Sequence, residues 1–232
     1  MMQMTKTGLR QAFLDTVPVM TGYLFLGFGF GILMEQNGYG FGWSVAMSLF
    51  IYAGSMQYAA VGLLTSGAGL LTAALTTLLV NARHLFYGIS MVDAYKSAPK
   101  KPYLIFALTD ETYSLVSKPQ VPEGVNFHSY CLTVSLFDQI YWVSGTALGA
   151  LVGTLLPAEL EGIEFVLTAL FVTIFTEQWL STKNHRPALI GVAGTLLCLW
   201  IFGRDIFLIP SMAVIAVTLT VMSRTKKEDS HG

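Results

Sequence analysis

Arginine 83 stands in the stretch LLVNARHLFYG, Leu78 to Gly88, inside an apolar run that begins at Ala68. An arginine near the middle of a bilayer costs about 2.5 to 3.5 kcal/mol on insertion scales, and less where it reaches headgroups from a helix end. Its neighbours suggest a second use. Thr77, Asn81, His84 and Gly88 recur at i, i+4, i+7 and i+11, which predicts one polar stripe along a helix. Such a stripe wants water, a ligand or a partner, and the chain offers carboxylates. In LTDETYSLV, Asp110, Tyr113 and Ser114 share a helical face with Glu111 beside it. Asp138 falls in a later apolar run with Trp142 and Gly145 on its side, and Glu177 completes the set. The pattern predicts that Arg83 pairs with Asp110 or Glu111 across neighbouring helices. Acids that face a bundle interior are candidates for proton relays or substrate contacts, although a buried pair can equally be architectural.

The elements that position these residues follow from the solvent. Of 232 residues, 53% are hydrophobic and 12% charged, and the mean hydropathy is +0.60, which is the composition of a membrane protein. A hydrocarbon core of about 30 Å needs about 20 helical residues. Runs of that kind are Val17 to Met34, Gly42 to Leu64, Ala68 to Ser90, Ser129 to Leu156, Ile163 to Leu180, Pro187 to Phe202 and Ile206 to Met222. An eighth, Tyr103 to Val116, is short and carries Asp110 and Glu111, so it reads as a span, a broken helix or a segment lying on the membrane. The fold class expected is all-α: a polytopic membrane protein of about seven to eight transmembrane helices, with residues 1–232 as one transmembrane domain.

Lys6 and Arg10 before the first apolar run imitate a signal peptide, but no small-residue cleavage pattern follows. The segment reads as the first anchored helix. Eight alternating spans place both termini in the cytoplasm with Lys183, Arg186, Arg224, Lys226 and Lys227, while Glu159, Glu161 and Glu164 fall outside. Lys96, Lys100 and Lys101 would fall outside too, which argues against a crossing by Tyr103 to Val116. Gly27 with Gly31, and Gly145 with Gly149 and Gly153, are spaced as packing seams, which are also plausible docking faces for another membrane subunit. Gly54, just before the polar patch Ser55 to Tyr58, reads equally as a packing residue or as a helix break.

A weak internal repeat aligns SLFIYAGSMQYAAVGLL with TALFVTIFTEQWLSTKN, setting Phe50 on Phe171, Ser55 on Thr176, Gln57 on Gln178 and Tyr58 on Trp179. The halves would be 17–117 and 129–222, parallel if Tyr103 to Val116 spans and inverted if it does not. A formal net charge of -1 without a polybasic block gives no nucleic-acid signal. Cys131 and Cys198 lie inside expected spans and form no metal or disulfide pattern. No phosphate loop, zinc motif or nucleophile elbow occurs, and no cofactor is implied, so an enzyme is not the reading.

FIYAGSMQYAAVGLL, NARHLFYGIS and LTDETYSLV, in that order and spacing, resemble the AzlC family, and the resemblance runs from about Val17 to Met222, more loosely toward FTEQWLS. It implies a bacterial inner-membrane permease that exports branched-chain amino acids together with a small AzlD-type membrane subunit. A channel-like or scaffold subunit without coupled transport of its own is the alternative. For an amino-acid substrate the site is expected where the related motifs meet near the bilayer midplane. There Ser55, Gln57, Tyr58, Thr176, Gln178 and Trp179 would supply donors, acceptors and an apolar wall. Asn81, Arg83, His84, Asp110, Glu111, Asp138 and Glu177 would form the coupling or polar network.

Overall fold

The computed structural model describes residues 5–117, 119, 121, 123–156, 168–169, 172, 175–176, 179–180, 182, 184–207, 210–211, 213–215, 217–218 and 222, with the backbone alone at 204–206. Every regular element among them is helical, and the chain divides into two compact units, Met1–Leu167 and Thr168–Gly232.

The first unit opens with α1, Lys6–Gln36, whose amino end is capped by Thr5, its hydroxyl accepting from Gly8 N at 3.1 Å. The next three apolar stretches are each interrupted. Helix α2, Gly40–Phe50, gives way to α3, Gly54–Thr65; α4, Leu70–Val80, gives way to α5, Ala82–Ser90; and α6, Lys101–Phe106, to α7, Asp110–Val116. Helix α8, Phe127–Gly153, is continuous and starts at an Asn126 cap that accepts from Ser129 N at 3.1 Å. In the second unit α9, Arg186–Ile206, bends at Gly203, whose φ of 73° no helix interior adopts.

Each interruption has a local cause. After α2 the chain turns through Tyr52, a non-glycine residue at φ 46°, a conformation that costs about 1–3 kcal/mol and persists only when its surroundings over-determine it. Burial of the Tyr52 ring, edge-on to Tyr23 at 6.5 Å, supplies that support. Asn81 sits at φ −92°, ψ 3° between α4 and α5, and its carbonyl takes a short-turn bond from His84 N at 2.9 Å. Thr109 is extended and caps α7, accepting from Thr112 N at 3.3 Å, while Asp110 and Glu111 place negative charge in the first turn.

These breaks correct the expectation of a continuous span over Ala68 to Ser90, interrupt Gly42 to Leu64 just before Gly54, one of the two readings of that glycine, and give Tyr103 to Val116 its broken-helix form. The single stripe expected through Thr77, Asn81, His84 and Gly88 is divided between α4 and α5, and the Thr77 hydroxyl donates back to Ala73 O at 2.7 Å. Among the described residues, Lys6–Gln36 and Arg186–Gly203 are the helices long and apolar enough to cross a membrane unbroken. Ile163 to Leu180 falls largely, and Ile206 to Met222 in part, outside the described residues.

Polarity in the first unit runs inside out. Thr16, Ser48, Gln57, Thr112, Asp138 and Thr146 are fully buried, whereas Leu70 is 90% and Phe25 74% exposed. Water would not tolerate so much apolar surface, and hydrocarbon would.

Helices α1 and α8 form the most extensive interface of the unit. A Cβ on Gly27 would lie 2.7 Å from Trp142 O, and one on Gly145 would lie 2.7 Å from Leu24 O. Gly31 and Gly149 are closer still, to Thr146 O and Phe28 O respectively. The glycines let two backbones touch. The two seams are therefore closed on one another, which corrects the expectation that either serves as a docking face for another subunit.

Candidate substrate and coupling site

Three broken pairs bring polar groups into the first unit. Thr109, released from helical bonding between α6 and α7, meets the Tyr23 hydroxyl of α1 at 2.6 Å and the Thr112 hydroxyl at 3.1 Å. Tyr23 also contacts Glu111 Oε2 at 2.7 Å, and Thr112 Oγ1 contacts Asp138 Oδ2 of α8 at 2.7 Å. Asp138 is fully buried, and its Oδ1 has no hydrogen-bond partner. A row of oxygens thus runs from Glu111 through Tyr23, Thr109 and Thr112 to Asp138.

Beside this row, Arg83 Nη1 lies 2.5 Å from Asp110 Oδ2, and its Nη2 donates to Ser55 Oγ. Arg83 thereby ties the first turns of α3, α5 and α7 together. Of the two acids expected to meet it, Asp110 does so, and Glu111 turns to Tyr23. The pair is not sealed: the side chains are 30% and 31% exposed, against the buried pair expected. Asn81 Oδ1, at the α4–α5 break, is buried without a hydrogen-bond partner. His84 packs its ring 5.9 Å from Tyr87, which stacks on Tyr113 at 4.4 Å.

Gln57 is fully buried and both ends of its amide are engaged. Trp142 Nε1 donates to Gln57 Oε1 at 3.0 Å, and Gln57 Nε2 donates to Ser48 Oγ at 3.1 Å, which contacts Thr146 Oγ1 at 2.8 Å. Tyr58, also fully buried, donates to Leu26 O of α1 at 2.6 Å. Gly54 begins α3 directly under Trp142, whose ring a Cβ there would meet at 3.0 Å, so it is both a helix start and a close approach. Ser55, Gln57 and Tyr58 thus reach three separate sets of partners within the unit.

In the second unit Thr176 donates to Val172 O at 2.7 Å, and Trp179 stacks on His185 at 4.0 Å. Trp179 and His185 line a cavity of about 610 Å³ with Phe175, Asn184, Val192 and Thr195, a size suited to a small organic ligand. Glu177 and Gln178 lie outside the described residues.

Sequence reasoning did not single out Tyr23, Ser48, Tyr52, Thr109, Thr112 or Thr146. Only Thr109 carried a local signal, a threonine directly before two acids that open a helix. Tyr23, Ser48, Thr112 and Thr146 are helical hydroxyls that each reach a partner far along the chain, and Tyr52 lies in the turn after α2. Among the described residues no cluster of His, Cys, Asp and Glu is arranged to hold a metal ion.

A profile of the AzlC protein family matches residues 18–156. The branched-chain amino acid transport protein AzlC of Bacillus subtilis is 42% identical over 93% of this chain and 85% of its own length. A membrane protein of Haemophilus influenzae is 43% identical over 92% of this chain and 88% of its own. The inner membrane protein YgaZ of Escherichia coli is 28% identical, with 79% of each chain covered. No solved structure matches the chain.

Proposed function

The chain belongs to the AzlC family of branched-chain amino acid transport proteins, and from that membership we propose that it exports valine, leucine and isoleucine, with methionine the next candidate, across a bacterial inner membrane. The observation that supports transport is the triple interruption of apolar helices around Ser55, Arg83 and Asp110. Secondary transporters use discontinuous helices near the midplane because freed backbone and side-chain groups can then bind substrate in the absence of water. The inward-facing acids Asp138 and Glu111 favour an ion gradient as the driving force. In this reading the helices form seven to eight crossings in one transmembrane domain, with related halves 17–117 and 129–222 and both termini cytoplasmic.

Ser55, Gln57 and Tyr58, with Thr176, Gln178 and Trp179, are the proposed substrate contacts. Asn81, Arg83, His84, Asp110, Glu111, Asp138 and Glu177 are the proposed coupling network. With the glycine seams closed, a small AzlD-type subunit would cover exposed apolar surface such as that around Phe25 and Leu70. The test is efflux of a preloaded amino-acid panel from cells with and without the chain, followed by counterflow in proteoliposomes. Saturable, leucine-dependent counterflow is expected. Efflux kinetics unaltered in normally expressed Gln57→Ala and Gln178→Ala variants would remove these residues from the site.

A further inference from the structure

The oxygen row between Glu111 and Asp138 can be counted. Its contacts are 2.7 Å from Glu111 to Tyr23, 2.6 Å from Tyr23 to Thr109, 3.1 Å from Thr109 to Thr112 and 2.7 Å from Thr112 to Asp138. Each contact needs one hydrogen, because two oxygens with facing lone pairs repel at such distances. The three hydroxyls of Tyr23, Thr109 and Thr112 supply one each. A fourth hydrogen is required, and only the carboxyls can carry it. Hydroxyl hydrogens are assigned by completing the network, and this network completes only with one added proton.

We propose that Glu111 and Asp138 share a single proton through the hydroxyls of Tyr23, Thr109 and Thr112, and that this row is a proton-carrying element of the protein. With the proton on Asp138, each hydroxyl donates toward Glu111: Asp138 to Thr112, Thr112 to Thr109, Thr109 to Tyr23 and Tyr23 to the Glu111 carboxylate. With it on Glu111, every donation reverses and Asp138 is ionised. Each group in the row passes on one proton as it receives one, so the exchange conserves protons and moves one net charge from end to end. No heavy atom need travel further than a hydrogen bond's adjustment.

The two ends are not equivalent. Asp138 is fully buried and its Oδ1 is bare, which penalises an ionised carboxylate there and favours the proton. Tyr52, Tyr103 and Tyr130 are the titratable groups that face it besides Glu111, and none brings a positive charge. Glu111 is only half-buried, and Arg83 lies within electrostatic reach, with Asp110 and Tyr87 on the same side. The resting proton therefore sits on Asp138, and the Glu111 end, beside the part-exposed Arg83 and Asp110, is where it leaves or enters.

This inference deepens the transport reading by naming the proton as the coupling ion, and its test does not depend on transport. Infrared difference spectra of the full chain at neutral pH report protonated carboxyls through their C=O stretch. An amide in place of either acid donates to the row as the protonated acid would, leaving the other acid ionised. Glu111→Gln and Asp138→Asn are therefore each expected to remove one protonated-carboxyl band, and the double variant to remove one, not two. In a Thr112→Val background, which cuts the row, Glu111→Gln is expected to leave the Asp138 band in place. Two bands lost in the double variant, or none, overturns the sharing. If the variants do not fold, isotopic labelling of aspartate carboxyls in the natural sequence keeps the question open to refutation, since the row requires an aspartate share of the protonated band. Leucine counterflow, measured separately on the natural sequence, decides the transport reading: counterflow without the single shared proton overturns the relay alone, and the shared proton without counterflow overturns transport alone.

Discussion

Removing Arg83 strips Asp110 of its cation and Ser55 of a donor at once, and the contacts bound the consequence. An exposed ion pair contributes about 0.2–1 kcal/mol, whereas stranding one partner of a buried pair costs about 3–5 kcal/mol. With side chains 30% and 31% exposed, Arg83 and Asp110 fall between, and Arg83→Ala is expected to destabilise by about 2 kcal/mol. Asp110 Oδ1 already lacks a hydrogen-bond partner, so little compensates when Oδ2 loses its own. For a chain of this length that is a fall of about 4–8 °C in melting temperature. The assay is a double-mutant cycle: Arg83→Ala, Asp110→Ala and the double variant, melted in one detergent at one scan rate because such unfolding is commonly irreversible. Each single should lower Tm, and the double should be less harmful than their sum, with a coupling of about 1–2 kcal/mol. Arg83→Lys should keep part of that coupling, since it retains the charge but not the second donor that reaches Ser55. Additivity within about 0.3–0.5 kcal/mol would refute the pairing and leave Arg83 as a headgroup anchor.

Three further outcomes follow from the same geometry. Gly149→Leu should exceed the usual overpacking cost of about 1–3 kcal/mol, because Phe28 O occupies the space, while Gly62→Leu, with nothing within 4 Å, should melt normally; equal stability of the two would break the α1–α8 seam. Gln57→Ala should leave Trp142 Nε1 and Ser48 short of a buried partner, at about 1–3 kcal/mol each, and shift tryptophan emission; an unchanged spectrum and Tm would show that the amide is not held. A small AzlD-type subunit should co-purify with the chain and be required for export, and full saturable transport by the purified chain alone would show it dispensable.

The sequence alone determined the solvent, and with it the class of fold. Hydropathy and the length of apolar runs act locally and additively, so they remain legible whatever the helices later touch. The residues of NARHLFYG and LTDETYSLV were legible as chemistry for the same reason: charge in an apolar run is conspicuous by itself. Continuity of the helices was legible only in part: Gly54 and the short Tyr103 to Val116 segment offered breaks as one alternative, but the break at Asn81 carries no proline or glycine, and each break depends on what buries the freed groups. Not legible was the choice between Asp110 and Glu111, adjacent in the chain, which α7 sends to Arg83 and Tyr23 respectively. The glycine seams announced close packing but not their partner, and only the meeting of α1 with α8 decided that they face each other. Tyr23, Thr112 and Asp138 stand far apart in the sequence, and hydroxyls in apolar helices carry no periodic signal. They became a row only where three helices brought their oxygens within hydrogen-bonding distance, and that distance is set by packing, which no local pattern encodes.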